Sequence, residues 1–271
     1  MKAECKVILS GFISVRSAIE AKSRAVSRII LEEARYEGIM RSTLRVSEKR
    51  QYERLKKSGI PIEFVSKTDF DAICGNPSAG GIAALCGERQ YASIEALAEK
   101  KDAFLVILDG IEDPYNFGFT LRTLYAAGAD GVILPDRRFY SSDEIVVRSS
   151  AGASELLHTA VVNDLTEVCG SLKEKGFLII STDNNKKAKD IYKIKIKRPL
   201  CLVFGGEKRG ISAGITEISD LTVRLKYPRE CHFSLSATNA VSIISFEIAR
   251  RISKPPDNIG NLSNNNRFRN T

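Results

Sequence analysis

The chain has no tryptophan, two histidines, two methionines and no C-x-x-C pair among its six cysteines. With only His158 and His232 and no H-E-x-x-H, there is little from which to build a catalytic metal centre, and no metal is expected. Cys5, Cys74, Cys86, Cys169, Cys201 and Cys231 are scattered, most of them inside apolar runs, and read as reduced core thiols. No apolar run approaches the roughly 18 residues of a membrane-spanning helix. The opening MKAECKVILSGF lacks a long apolar region and a small-residue cleavage site, so the expectation is a cytoplasmic protein with no membrane segment. Two phosphate-binding signatures are missing as well. FGGEKRGIS, Phe204 to Ser212, spaces Gly205 and Gly210 like a P-loop, but Ile211 follows where the lysine is required. Its glycines do not fit a dinucleotide fingerprint either. A nucleotide-dependent enzyme of a doubly wound fold is thereby disfavoured, and the glycine loop needs another explanation.

What is present suits a globular chain: 271 residues, 43% hydrophobic and 27% charged, with room for two modest domains. Lys and Arg number 41 against 33 Asp and Glu, a formal charge of +8 that raises the odds of a polyanionic partner. The cations crowd into Arg16 to Arg28, Arg41 to Lys57 and Lys186 to Arg198, which read either as phosphate-gripping surfaces or as solvated faces.

Short strands and helices alternate from the start. RIILEEA from Arg28 reads as a strand, SEKRQYERLKKSG as a helix closed by Gly59, IPIEFVS as a strand, KTDFDAIC as a capped helical turn and GGIAALCGE as a returning strand. This predicts a small α/β unit ending near Arg89. FLVILDG then opens a second unit whose strands GVILP, GFLIIST and PLCLVFGG are near-continuously apolar, as strands inside a parallel sheet are. The Asn-rich tail after Pro255 and Pro256 has no apolar period and is expected to be disordered.

Three stretches fall after predicted strands, where open α/β sheets place ligands. In LDGIEDPYNFGFTLRTLYAAGADGVILP, Asp113 and Pro114 suggest a turn, Asn116 and Gly118 a tight backbone path, and Thr120 to Ala127 a short helix presenting Arg122. Arg122 is its one charged residue, and reads as a functional cation or as a structural ion pair with Glu207 or Asp109. The second stretch is FGGEKRGIS. In the third, YPRECHFSLSATNAVSIISFEIARR, Ser234 or Ser236 can cap a helix with Ala240, Val241, Ile244, Ile248 and Ile252 facing inward.

Taken together the three resemble the SpoU (TrmH) family of RNA ribose 2′-O-methyltransferases of the SPOUT class. Asn116, Gly118 and Arg122 are similar to its first motif, Leu202 to Gly210 to its second, and Pro228 with Ser234, Leu235 and the following helix to its third; SSAGASE, Ser149 to Glu155, is similar to a small-residue segment of the family. The resemblance covers roughly residues 100 to 252. GFISVRSAI and GGIAAL resemble the ribosomal-protein-like RNA-binding domain that precedes the catalytic domain in rRNA members. It implies an α/β fold: an RNA-binding domain over 1–92, a SPOUT domain over 100–254 with a deep trefoil knot and mostly parallel sheet, and a tail over 255–271.

The resemblance implies that S-adenosyl-L-methionine is the cofactor, with Thr182, Gly205, Tyr227 and Leu235 lining its pocket and Gly205 letting the backbone approach the adenosine. It implies methyl transfer to a ribose 2′-hydroxyl by a catalytic set of Arg122, Asn116, Glu207, Ser234 and Ser236, with Arg122 the principal residue, Glu207 positioning Arg122, or Asn116 and the motif loops, and Ser234 hydrogen-bonding at the knot. A guanidinium with pKa above about 12 suits an electrostatic clamp better than a base. The family's third motif usually reads Ser-Leu-Asn; here Ser236 takes the Asn place and Asn239 lies about a helical turn on. The implied partners are RNA, with 23S rRNA favoured over tRNA, and a second copy packed through the knot; no membrane partner is expected. A structured-RNA-binding relic without activity, or a tRNA 2′-O-methyltransferase, is the alternative.

Overall fold

The computed structural model describes residues 7–75, 79–136, 143–206, 210–230 and 232–252. Cys5, Glu207, Cys231 and the tail over 255–271 lie outside the described residues.

The amino-terminal unit runs β1 (Val7–Ser10), α1 (Phe12–Ala21), β2 (Arg24–Glu32), α2 (Glu33–Arg41), α3 (Val46–Lys56), β3 (Ile62–Val65), α4 (Lys67–Cys74) and β4 (Ile82–Arg89), its sheet ordered β1-β4-β2-β3. Strand β4 pairs antiparallel with β1 and β2, and β2 pairs parallel with β3. The Arg-rich stretch before SEKRQYERLKK, which carries no obvious period, folds as α2 and buries only Ile39. In α4, Ser66 accepts the Asp69 N–H at 3.1 Å, the cap its sequence suggests.

The second unit follows α5 (Ile94–Ala98) as β5 (Phe104–Asp109), α6 (Pro114–Ala126), β6 (Gly131–Pro135), α7 (Asp143–Ser149), α8 (Ala153–Leu156), β7 (His158–Val162), α9 (Leu165–Glu174), β8 (Leu178–Thr182), β9 (Lys189–Asp190), β10 (Leu200–Gly205), α10 (Ala213–Ile218), β11 (Leu221–Arg224) and α11 (Ala237–Ile252). The sheet is ordered β7-β6-β5-β10-β8-β11-β9, and every pairing is parallel. Alternate residues of β5 enter opposite cores: Phe104, Val106 and Leu108 on one face, Leu105 and Ile107 on the other. That explains its unbroken apolar run. Cys74, Cys86, Cys169 and Cys201 are free and buried; burial pushes the first three thiols up to about 11 and raises that of Cys201 well above its ordinary value.

Helix α6 departs from the sequence expectation. Asp113 and Pro114 do not form a separate turn: Asp113 caps the helix, its carboxylate accepting the Asn116 N–H at 2.8 Å, and Pro114 occupies the first turn. Asn116 and Gly118 are therefore helical. Gly118 is required by a helix crossing, since a Cβ there would lie 1.9 Å from Ser149 Oγ on α7.

The two units meet through SSAGASE. Val147 is buried in the amino-terminal core beside Leu9, Val15 and Ala18. Gly152, at φ 78°, lies where a Cβ would be 2.2 Å from Ser17 Oγ. Beside it the Arg24 guanidinium bonds Glu155 at 3.1 and 3.2 Å and Asp143 at 2.8 Å, while Ser23 donates to Glu155. Arg89 bonds the Leu157 carbonyl and Thr159, both at 3.0 Å, and stands 3.9 Å from Glu155. Burial pulls the Arg24 pKa down, but Asp143 and Glu155 outweigh it and hold it above its ordinary value.

Candidate functional site

A cleft of about 410 Å³ opens where β8, β10 and β11 end. Its walls come from distant parts of the chain: Ser181 to Asn184 after β8, Gly205, Gly206, Gly210 and Ile211 of the glycine loop, Val223 to Leu225 and Tyr227 after β11, and Ser234, Leu235, Ala240 and Ile244 leading into α11. Strand order reverses around β5 and β10, the place at which parallel sheets leave a crevice.

The glycine loop folds on itself. Gly206 bridges Gly210, the Gly210 N–H donating to the Gly206 carbonyl at 3.0 Å, and the Gly206 N–H donates to the Asp109 carbonyl at 2.7 Å. A Cβ on Gly205 would fall 2.3 Å from the Gly210 carbonyl carbon and 2.6 Å from the Ile211 nitrogen. A side chain at Gly205 would thus meet the returning backbone of the loop itself. A Cβ on Gly206 would fall 2.3 Å from the Gly110 carbonyl oxygen, so the loop also abuts the start of the α6 segment.

Thr182, Tyr227, Leu235 and Ser234 are linked by hydrogen bonds to the rest of the rim. Thr182 Oγ1 donates to the Val203 carbonyl at 3.1 Å, and the Leu235 N–H donates to Tyr227 Oη at 3.0 Å. Asn184 Nδ2 donates to Ser234 Oγ at 2.9 Å, tying the β8 exit to the segment before α11. Ser236 caps α11: its Oγ accepts the Asn239 N–H at 3.3 Å and its carbonyl accepts the Ala240 N–H at 3.0 Å. Val241, Ile244 and Ile248 of that helix are buried, whereas Ala240 and Ile252 are half-buried.

The four residues expected to hold the cofactor, Thr182, Gly205, Tyr227 and Leu235, thus line one cleft together with Ser234. Asn116 and Arg122 do not line it. Both are exposed on α6, and Arg122 forms no ion pair among the described residues, so the ion pair with Asp109 is not made. Sequence reading also passed over Asp183, Asn184, Thr216 and Arg224, which line the cleft. Arg224 is half-buried, and its Nε has no hydrogen-bond partner among the described residues. The signal available was a single cation at the end of LTVR, on a strand otherwise free of charge.

Chemically the cleft offers an apolar wall, Leu225, Leu235, Ala240 and Ile244, facing hydroxyls and amides of Ser181, Thr182, Asn184 and Ser234. That is the lining expected for a flat heterocycle bearing a polar tail.

Comparison with known proteins follows the same division of the chain. Residues 103–246 match the SpoU rRNA Methylase family and residues 8–92 match the RNA 2′-O ribose methyltransferase substrate binding family. A TrmH family protein of Staphylococcus aureus assigned to tRNA/rRNA methylation is 30% identical over 250 residues, covering 90% of this chain and 96% of the relative. One from Staphylococcus saprophyticus is 28% identical over 252 residues, covering 91% and 96%. Among solved structures, the SpoU methyltransferase AviRb of Streptomyces viridochromogenes, in complex with AdoMet, superposes with a TM-score of 0.72 at 20% identity, covering 91% of this chain and 90% of that one. An AdoMet-bound rRNA methyltransferase of Sinorhizobium meliloti gives 0.72 at 19% identity, covering 92% and 88%; these two show a common fold. Because the family match spans more than half of the chain, from β5 through the glycine loop and into α11, the protein belongs to the SpoU (TrmH) family of RNA methyltransferases.

Proposed function

We propose that the protein transfers a methyl group from S-adenosylmethionine to a ribose 2′-hydroxyl of RNA, with 23S rRNA as the substrate, residues 1–92 engaging the RNA and residues 100–254 carrying the transfer. The observation that supports this most directly is the convergence of Thr182, Gly205, Tyr227, Leu235 and Ser234, drawn from three separated stretches, on one cleft. The cleft suits the cofactor: apolar side chains for the adenine faces, and hydroxyl and amide groups for its ribose and amino-acid end. Bound there, S-adenosylmethionine supplies an electrophilic sulfonium methyl.

The chain's own task is to hold and activate a poor nucleophile. Arg122, always protonated, stabilises negative charge as it develops on the 2′-oxygen or on the neighbouring phosphate, the 2′-hydroxyl proton passing to phosphate or water. It is exposed on α6 and in no ion pair among the described residues, which suits that role. Glu207 in the glycine loop and Asn116 in the first turn of α6 orient it, and Ser234 fixes the rim through Asn184. That Arg122 does not line its own chain's cleft supports a composite site, with the Arg122 of one copy facing the cleft of another. Exposed apolar residues support such a pairing. Tyr115, Phe119 and Tyr125 of α6 are 55%, 45% and 46% exposed, and Ile243 and Phe246 of α11 are 39% and 51% exposed. The helices are adjacent, Thr123 Oγ1 lying 3.4 Å from Ser242 Oγ.

The test is transfer of labelled methyl to unmodified total RNA, with the product located by nuclease digestion and mass spectrometry. A ribose-methylated nucleotide is expected, with turnover falling about 100-fold or more in Arg122→Ala, the usual cost of removing an oxyanion donor. Full turnover in Arg122→Lys would refute a need for the planar fork. A second reading, RNA binding without transfer, rests on Ser236 in place of the family's asparagine. Ser236 does form the α11 cap, which removes one structural reason to think the site degenerate. RNA binding with no methyl incorporated into any RNA pool would nonetheless establish that second reading.

A further inference from the structure

The third basic cluster has no part in the site described so far. Residues 186–197 contain Lys186, Lys187, Lys189, Lys193, Lys195 and Lys197 against one acid, Asp190. All six lysines are exposed, and none is in an ion pair among the described residues. Of the other described lysines, Lys67, Lys100 and Lys173 pair with Asp71, Asp130 and Asp220 at 2.9, 2.7 and 3.0 Å, but no other run of the described residues gathers so many lysines with a single acid. Asp190 is itself occupied, its Oδ1 accepting the Tyr192 N–H at 3.0 Å.

The segment is held in place from beneath. Ala188, Ile191 and Ile194 are buried between the lysines. Asn185 Oδ1 accepts the N–H groups of Lys187 and Ala188, both at 2.9 Å. The Arg251 guanidinium of α11 donates to the Ile194 carbonyl at 2.5 Å and the Tyr192 carbonyl at 2.6 Å. An ordered row of like charges repels itself and lowers stability unless an anion is present. The row also has a definite place. Lys189 and Asp190 form β9, in register with Val223 and Arg224 of β11, and both of those line the cleft, as do Asp183 and Asn184 immediately upstream. Lys189 is thus about one strand spacing, ~4.8 Å, from the cleft wall. Tyr192, 50% exposed, stands among the lysines.

From this we infer that the edge formed by residues 186–197 is an RNA-binding surface of the methyl-transfer unit itself, distinct from the amino-terminal unit. Its lysines hold the phosphates of the strand that enters the cleft, and Tyr192 stacks on an unpaired base. The inference rests on the proposed RNA methyltransferase activity. Backbone contacts of this kind position a strand without reading its sequence, so the edge sets register while the amino-terminal unit selects the RNA.

The experiment compares the intact protein with Lys189→Gln/Lys193→Gln/Lys195→Gln. Binding to in vitro transcribed 23S rRNA is measured as a function of salt, and S-adenosylmethionine binding by calorimetry. Each phosphate contact contributes about 0.7 to 0.9 to the slope of log K against log salt. The variant is expected to lose roughly 2 to 3 from that slope and to bind at least about tenfold more weakly at low salt, its affinity for S-adenosylmethionine unchanged. Tyr192→Ala is expected to weaken RNA binding several-fold with no change in slope. An unaltered slope and affinity in the triple variant, while the intact protein methylates RNA, would overturn the inference, leave the proposed activity standing and assign the edge to a partner other than RNA. Failure of the intact protein to bind or methylate this RNA or total RNA would overturn both.

Discussion

At the scale of the single residue, Gly205 sits where the glycine loop returns across it, so a Cβ there would meet the backbone of Gly210 and Ile211. Gly205→Ala must therefore separate Gly205 from Gly210 and Ile211, a backbone clash with no side chain to yield. It is expected to destabilise the protein by about 1–3 kcal/mol, as overpacking does, and to weaken S-adenosylmethionine binding because the displaced loop lines the cleft. Gly170, inside α9 with nothing within 4 Å of where a Cβ would stand, is the control. Gly170→Ala is expected to raise stability by about 0.5–1 kcal/mol and to leave cofactor binding alone. Thermal unfolding and calorimetry on the two variants decide it; equal behaviour would mean the loop tolerates opening. Thr182, Tyr227 and Leu235 were legible by resemblance to a motif, whereas Asn184 and Arg224 were not, since neither periodicity nor spacing marks a polar residue that matters only once two strands end side by side.

At the scale of the element, strands announced themselves better than helix boundaries. FLVILDG and PLCLVFGG were legible because both of their faces are buried. The start of α6 was misread because D-P followed by N-x-G is turn chemistry in isolation; here the aspartate caps and the glycine serves a crossing against Ser149. SSAGASE was recognisable as a small-residue stretch, but its role as the seam between the units was not, because Arg24 lies 131 residues from Glu155. That seam can be tested. Arg24 and Glu155 side chains are 1% and 0% exposed, so Glu155→Ala leaves a buried guanidinium with Asp143 as its remaining carboxylate and is expected to cost up to about 3 kcal/mol, the low end for breaking a buried pair. Arg24→Met/Glu155→Leu removes both charges, and although Asp143 and Arg89 then each lose a partner, it is expected to recover part of that loss. Denaturant titration of the three proteins measures it. A double variant no better than Glu155→Ala would show that the pair is a net source of stability and not only a specification of how the units dock.

At the scale of the whole molecule, the parallel sheet and its two-unit order were legible from the βα rhythm, whereas the proposed pairing of two copies comes only with the family resemblance, because one chain's sequence does not say which of its surfaces meets another copy. The exposed apolar residues Tyr115, Phe119, Tyr125, Ile243 and Phe246 mark where that meeting is expected. Phe119→Asp/Phe246→Asp is expected to convert a dimer in light scattering to a monomer and to abolish methyl transfer, although neither residue lines the cleft. Mixing then separates a composite site from a self-contained one. Arg122→Ala chains keep an intact cleft, and Gly205→Ala chains keep an intact Arg122; each homodimer is expected to be strongly impaired when S-adenosylmethionine is held below the level that saturates the weakened cleft. If Arg122 serves the other chain's cleft, a mixed dimer regains one working site, and random exchange of equal amounts restores roughly a quarter of the intact rate. If Arg122 serves its own cleft, no combination of the two chains restores activity, because every site then has either a missing guanidinium or a damaged cleft. Recovery on mixing, absent when Phe119→Asp/Phe246→Asp is also present in both chains, would place the reacting groups on opposite sides of the contact made by α6 and α11.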